Sequence, residues 1–369
     1  MTALKRPRIL ITVDAVGGVW RYAMDLAAAL EPHGFCSVFA GLGPRPSEAQ
    51  RKEAVAVGEL HWLDAPLDWM VQSEAALDRV GIKILDLAVT QGVDLLHLNL
   101  PSQAALIQTN LPVVVMSHSC VVTWFEGVRR EDPPPGWRWH KAINRRGLDR
   151  ADLVLAPSGS HAAMLDDAYG AIDNIHVVYN ASSTEASCGE KDDMVVAAAR
   201  WWDDGKNGHV LDEAAHAISW PVFMVGSNSG PDGQYLPIRH AEHRGELAHH
   251  EVMALMRRSS IFVSPSVYEP FGLAALEAAR SHAALVLADI PTYRELWPEA
   301  ALFADPHDSA AIAAAVNCLI GSPGLRMQLA GRALQRSRYF SLSSQAKAMA
   351  AFYSGLLHRT TTFSIAESS

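Results

Sequence analysis

The stretch from Ile261 to Arg280, IFVSPSVYEPFGLAALEAAR, constrains the fold of this chain more tightly than any other. Its opening, Ile261-Phe262-Val263, is apolar and short, as a buried strand requires. Ser264-Pro265-Ser266 stops that strand. From Gly272 the pattern turns helical, with Leu273, Leu276 and a line of alanines that leave little polar surface. Two carboxylates flank the turn. Glu269 precedes the helix, and Glu277 lies one helical turn beyond Leu273, on the face that Leu273 buries. A buried carboxylate is costly unless something pairs with it. Free N–H groups at Phe271-Gly272-Leu273 and the positive end of the helix dipole favour an anion or a ring of hydroxyls. Acceptors and donors gathered on one turn suit a sugar joined to a phosphate. The plainer alternative is a strand-to-helix turn with one Glu at its start and another on its surface.

Strand and helix alternate along the rest of the chain, which at 369 residues is long enough for two domains. Arg8 to Val13 reads as a continuous apolar strand, covered on both faces. Asp14-Ala15-Val16-Gly17-Gly18 follows, and Val19, Ala23, Leu26, Ala27 and Leu30 mark a helical stripe. Gly17 and Gly18 therefore sit where backbone can approach a phosphate or a sugar, or form a plain tight turn. The loop lacks the full GxGxxG spacing, and no acidic residue ends the next strand, Phe35 to Ala40, to hold a ribose. Both points weigh against a dinucleotide enzyme. Leu95 to Leu98 and Val113 to Met116 read as further strands. The second runs into Ser117-His118-Ser119, a polar cluster at the carboxyl edge of the sheet, where open α/β sheets take ligands.

Between Trp124 and Asp152 tryptophans alternate with arginines around the loop Pro133-Pro134-Pro135-Gly136. Trp124, Trp137 and Arg138 there suit a carbohydrate or lipid-linked acceptor, or an anionic membrane surface. The alternative is a solvated helix whose tryptophans fill the domain edge. After a polar linker beginning at Ser183 the pattern restarts. Met194 to Ala199 is a strand, and Arg200-Trp201-Trp202-Asp203-Asp204-Gly205-Lys206-Asn207 brings two cations to the loop before the next helix. Arg supplies a forked contact and Lys a point charge, which together suit a diphosphate. A net charge of -9 argues against general nucleic-acid binding. Cys36, Cys120, Cys188 and Cys318 lie far apart without metal spacing and read as reduced thiols of a cytoplasmic protein. No apolar run approaches the roughly 20 residues of a membrane span.

These motifs resemble the signature of the retaining glycosyltransferases of family 4. The resemblance rests on Glu269-x7-Glu277 enclosing Pro270-Phe271-Gly272-Leu273, on the Arg200 to Lys206 spacing, and on Ala151-Asp152 … Ser158. It implies an α/β protein of GT-B fold, with two facing Rossmann-like domains and an interdomain cleft. Residues 1–182 would form the acceptor-side domain, with a C-terminal helix at about 343–357 packing back on it. Residues 183–342 would bind the nucleotide sugar; apart from the resemblance, the terminal stretch Thr360 to Ser369 reads as a loose tail. The resemblance also implies that Glu269 binds the donor sugar and Glu277 the ribose. Phe271, Gly272 and Leu273 would contact sugar and phosphate through their backbone, Arg200 and Lys206 the diphosphate, and Gly17, Gly18 and His118 the donor. His118, Glu269, Arg200 and Lys206 are the expected catalytic set. The sequence departs from the family at Ser119, where relatives often have Asp, at Ala199, and at Ser281-His282, where Gly is usual.

The implied activity is transfer of a sugar from a UDP- or GDP-linked donor to a carbohydrate, lipid-linked or small-molecule acceptor. No cofactor is expected. No Asp-x-Asp triple exists to hold a divalent metal, so cations and helix N-termini must neutralise the leaving diphosphate. The implied location is the cytoplasm, with the inner membrane face as a second reading. Two rivals stay open: a nucleotide-sugar 2-epimerase on the same fold, and a non-catalytic sugar-binding subunit.

Overall fold

The computed structural model describes residues 6–231 and 233–366, with side chains through residue 359. The chain divides into two units, Met1–Ala181 with Leu342–Ser369, and Ser182–Ser341. The first unit carries strands β1 (Arg8–Asp14), β2 (Cys36–Leu42), β3 (Glu59–Trp62), β4 (Leu95–Leu98), β5 (Val113–Met116), β6 (Leu153–Ala156) and β7 (Ile175–Val177). They form one sheet in the order β3-β2-β1-β4-β5-β6-β7, and every pairing is parallel. The strands are short and apolar because helices cover both faces. Along β1, Ile9, Ile11 and Val13 enter one core and Leu10 the other, the alternation a pleated strand imposes.

The second unit repeats the plan with β8 (Asp192–Ala198), β9 (Val222–Val225), β10 (Glu242–Gly245), β11 (Ser259–Ser264), β12 (Ala284–Ala288) and β13 (Ala301–Ala304). Their order is β10-β9-β8-β11-β12-β13, again all parallel. Ile261 and Val263 join one core and Phe262 the other, as the apolar run in the sequence demands. In each sheet the strand order reverses once, between β1 and β4 and between β8 and β11. A crevice opens beyond the carboxyl ends of the strands at such a reversal. These are the ends that carry Gly17, Gly18, Arg200, Lys206 and Glu269.

The helix at the end of the chain runs Leu342–Ala366. It is longer than the expected 343–357, and it replaces most of the expected loose tail; residues 367–369 lie outside the described residues. Met349 and Tyr353 are fully buried in the first unit's core, where Tyr353 meets Phe35 edge to face at 5.7 Å. Among the described residues no single helix is long and apolar enough to cross a membrane.

Candidate active site

In the second unit the site grows from two loops tied to each other by backbone. Beyond β8, Asp203 accepts the Gly205 N–H at 2.9 Å and tightens the turn. The Gly205 carbonyl then accepts the Val267 N–H at 3.0 Å from the loop beyond β11. Asn207, in the left-handed region at φ 57°, donates its side-chain amide to the carbonyls of Pro265 at 2.9 Å and Pro306 at 2.6 Å. The buried amide thus fixes where the lysine before it points. Lys206 Nζ donates to Glu269 Oε2 at 2.6 Å, and both side chains are more than four-fifths buried. Two residues that the sequence assigned to separate tasks are therefore one ion pair. Such a pair offsets its own desolvation only through close geometry, so losing either partner strands a buried charge.

Arg200 is not in that pair. It contacts Asp203 at 3.2 Å, lies over the Trp202 ring at 5.3 Å, and stays partly exposed, so its guanidinium still fronts solvent. The chain beyond Glu269 turns through Gly272 at φ 89° into the Leu273–Arg280 helix. A Cβ on Gly272 would stand 2.9 Å from Tyr293 Cε1, so glycine is needed there for space as well as for backbone conformation. Tyr293 is buried beneath the turn and bonded to Ser264 Oγ at 2.6 Å. Burial first, and then the neighbouring Glu269, pushes its hydroxyl well above the ordinary range. Glu277 is buried on the helix, as its spacing from Leu273 predicts, and Oε1 lies 3.2 Å from Nε2 of the half-exposed His249.

In the first unit the end of β1 carries Asp14, whose carboxylate accepts the Val16 N–H at 2.9 Å. That turn delivers Gly17, in extended conformation, as the cap of the Gly18–Leu30 helix. One turn into the helix, Tyr22 packs edge-on against His118, ring centroids 4.3 Å apart. His118 follows β5 and reaches Asn99 Oδ1 through Nε2 at 3.1 Å. Burial, and next the neighbouring His97 and His161, push its pKa down to about 3. His97 and His161 are themselves pushed down to about 4, burial being the main cause. The three imidazoles are thus held neutral, and Asp14 at the end of β1 is a carboxylate.

The aromatic segment folds mostly onto itself. Trp137 and Trp139 both stack on the buried His140, at 5.1 and 3.6 Å between centroids. Trp124 takes Arg129 over its ring at 5.4 Å. Arg138 is exposed. The tryptophans are thus half-buried, and Arg138 is the member of the set turned to solvent.

Sequence reasoning gave no individual role to Tyr22, His97, Asn99, Asn207, His249, Tyr293 or Tyr353. His97 had a faint signal, a histidine inside the apolar run of β4. Asn207 had another, a Lys-Asn-Gly step that favours positive φ.

Two doubly wound parallel sheets, each with polar loops at its strand reversal, define the GT-B class of glycosyltransferases. The model of a family described as Glycosyltransferase Family 4 matches residues 16–186, and one described as Glycosyl transferases group 1 matches residues 230–336. Together the two models mark both units as those of a glycosyltransferase of the family 4 type. It is 39% identical over 94 residues to a glycogen synthase of Mycobacterium tuberculosis, a match covering 25% of this chain and 23% of the synthase. The match thus spans about a quarter of that curated relative's length. Among solved structures, a sucrose-phosphate synthase of Thermosynechococcus elongatus superposes with TM-score 0.81 at 17% identity, covering 96% of this chain and all (100%) of the other. HepE of Anabaena, in complex with UDP-glucose, superposes with TM-score 0.76 at 17% identity, covering 94% and 99%.

Proposed function

We propose that this chain is a retaining glycosyltransferase that moves a hexose from a nucleotide diphosphate sugar to a hydroxyl acceptor without a metal ion. The observation that carries this reading is the second unit's loop pair. A lysine–glutamate pair, a partly exposed arginine, a helix N-terminus and a buried glutamate all lie on the segments that follow β8 and β11. Each has a role on a bound donor. Arg200 and Lys206 neutralise the diphosphate as its charge develops, which is electrostatic stabilisation of the leaving group. Glu277 accepts the ribose hydroxyls. Glu269, steadied by Lys206, accepts sugar hydroxyls, and the N–H groups at Phe271 to Leu273 line the sugar–phosphate link. Gly17, Gly18 and His118 belong to the donor side as well, and Arg138 to the acceptor side. The acceptor attacks the face the diphosphate leaves, and a departing phosphate oxygen takes its proton, so no protein nucleophile is needed. The relatives' uridine ligand makes a UDP-linked donor the first choice over a GDP-linked one.

Metal independence rests on the absent Asp-x-Asp. The test is to incubate UDP- and GDP-sugars with candidate acceptors in EDTA and to read the anomer of the product. The expected result is transfer with retained configuration, undiminished by EDTA. An epimerised nucleotide sugar formed without acceptor would replace the transferase by an epimerase. Activity lost in EDTA and restored by Mg²⁺ would remove the metal-free mechanism. Binding without turnover of any donor would leave a sugar-binding subunit.

A further inference from the structure

The polar end of the first unit's sheet is organised by one amide. Asn99, just past β4, is buried. Its Nδ2 donates to the Thr12 carbonyl on β1 at 2.5 Å, and its backbone N–H donates to Thr12 Oγ1 at 2.8 Å. A carbonyl can only accept, so the amide has one allowed orientation, with Nδ2 toward Thr12 and Oδ1 toward the histidines. Oδ1 lies 3.1 Å from His118 Nε2 and 3.2 Å from His97 Nε2. An amide oxygen can only accept as well, so both imidazoles must carry their proton on Nε2. Each Nδ1 is then a bare lone pair. For His97 that lone pair is taken by the Tyr353 hydroxyl at 2.8 Å, donated from the C-terminal helix. Among the described residues His118 Nδ1 has no such partner.

We propose that Asn99 is the positioning residue that locks His118 as the Nε2–H tautomer and so presents Nδ1 as a hydrogen-bond acceptor to a hydroxyl of the bound sugar. This rests on the donor-side role given to His118 above and adds the chemistry by which it acts. Tyr22, edge-on to the ring, keeps it from turning. With burial holding the imidazole neutral, His118 receives a hydrogen bond and does not remove the proton. It orients the hydroxyl and is not a general base. A hydroxyl satisfies the lone pair. An aliphatic or deoxygenated position leaves it unmet, and an unmet buried acceptor is the stronger source of discrimination.

The tautomer can be read directly. Two-bond ¹H–¹⁵N correlation spectra of histidine-labelled protein, with His118→Gln used to assign the signals, report which ring nitrogen is protonated. The expected wild-type spectrum has a protonated Nε2 and a pyridine-like Nδ1 on His118 near neutral pH, without any ligand. Asn99→Leu is expected to populate both tautomers. It should lower kcat/KM for the nucleotide sugar by about ten-fold to a hundred-fold, the loss of one hydrogen bond to a polar ligand group, while leaving nucleoside diphosphate affinity unchanged. A wild-type His118 protonated on Nδ1 overturns the proposal and needs no variant to fold. A tautomer that stays fixed in folded Asn99→Leu overturns it as well. An Nε2–H wild-type His118 in a protein that turns over no donor supports the Asn99 assignment and counts against the transferase reading alone.

Discussion

The polar groups beyond the two strand reversals are of opposite kinds. In the second unit they are charged and paired: Lys206 with Glu269, Arg200 with Asp203, and the Glu277 carboxylate beside His249. In the first unit the cluster at β4 and β5 is neutral: His97 and His118 about Asn99, with Tyr22 and Tyr353 closing the ring. The chemistry of the proposed donor accounts for the division. A diphosphate needs cations whose charge does not depend on small changes of pH, and pairing keeps Lys206 in place until a better anion arrives. Hydroxyls need donors and acceptors of fixed direction, and a mobile proton there would blur which is which. Burial supplies that in the first unit by making the imidazolium forms costly.

The largest expected effect separates the units by pH. The unfolded chain protonates these imidazoles near their ordinary 6.5, whereas the folded protein protonates His97 and His161 only near 4 and His118 near 3. Between those limits the unfolded state binds more protons, so stability falls as pH drops from 6.5 toward 4 and is fully present above it. A tenfold loss of proton affinity on folding corresponds to about 1.4 kcal/mol, so the three histidines together should outweigh a single substitution. Urea midpoints measured against pH should fall steeply through this window, and less steeply in His161→Gln. A flat profile would mean that these rings are charged in the native state and that the contrast between the units is wrong.

The second effect breaks the charged side. Lys206→Ala strands Glu269 and removes a cation from the leaving group. Transfer should fall by about a hundred-fold to a thousand-fold, as when one electrostatic donor is removed from an active site. Stability should fall by about 3 kcal/mol, the cost of leaving half of a buried pair. The double variant with Glu269→Gln should recover stability and no activity. Full additivity in stability would show that the two side chains do not act as a pair. A smaller effect belongs to the turn between them and the helix. Gly272→Ala, forced to φ 89° against Tyr293, should lose about 1–2 kcal/mol. An unchanged melting temperature would mean that the turn relaxes freely.

How far each region was legible follows from how it is built. The second unit's site is mostly one contiguous piece, Ser264 to Glu277, with a second piece from Arg200 to Asn207. Spacing within such pieces survives folding, so the strand, the turn and the buried Glu277 could all be read from the sequence. The Lys206–Glu269 pair could not, because it depends on Gly205 and Asn207 docking the two loops. The first unit's ring draws on Thr12, Tyr22, His97 with Asn99, His118 and Tyr353, five separate places in the chain. Only His118 stood out, as a polar residue past an apolar strand. Tyr353 lay in a recognisable helix, but nothing local said that its hydroxyl meets β4. That helix also outran its expected end: Thr360, Thr361 and Thr362 are weak helix formers, yet the structure keeps them helical.

The smallest expected effect lies outside both rings. Arg138→Ala removes an exposed cation, so stability should stay within about 0.5 kcal/mol of the wild type. The KM for a carbohydrate acceptor should rise with donor affinity unchanged. Trp137→Ala, which unstacks His140, should instead lower the melting temperature. If Arg138→Ala leaves the acceptor KM unchanged as well, the segment is packing alone.

The central claim is that the two buried glutamates divide the donor between them, and calorimetric titration tests it most directly. Folded Glu269→Gln and Glu277→Gln are each titrated with a nucleoside diphosphate and with the matching nucleotide sugar. Losing a charged acceptor from a polar contact costs about 1.5–3 kcal/mol, roughly ten-fold to a hundred-fold in affinity. Glu277→Gln should weaken both ligands by that factor, because both carry the ribose. Glu269→Gln should leave the nucleoside diphosphate nearly unchanged and weaken only the nucleotide sugar. Equal loss of nucleoside diphosphate affinity in the two variants would contradict the assignment.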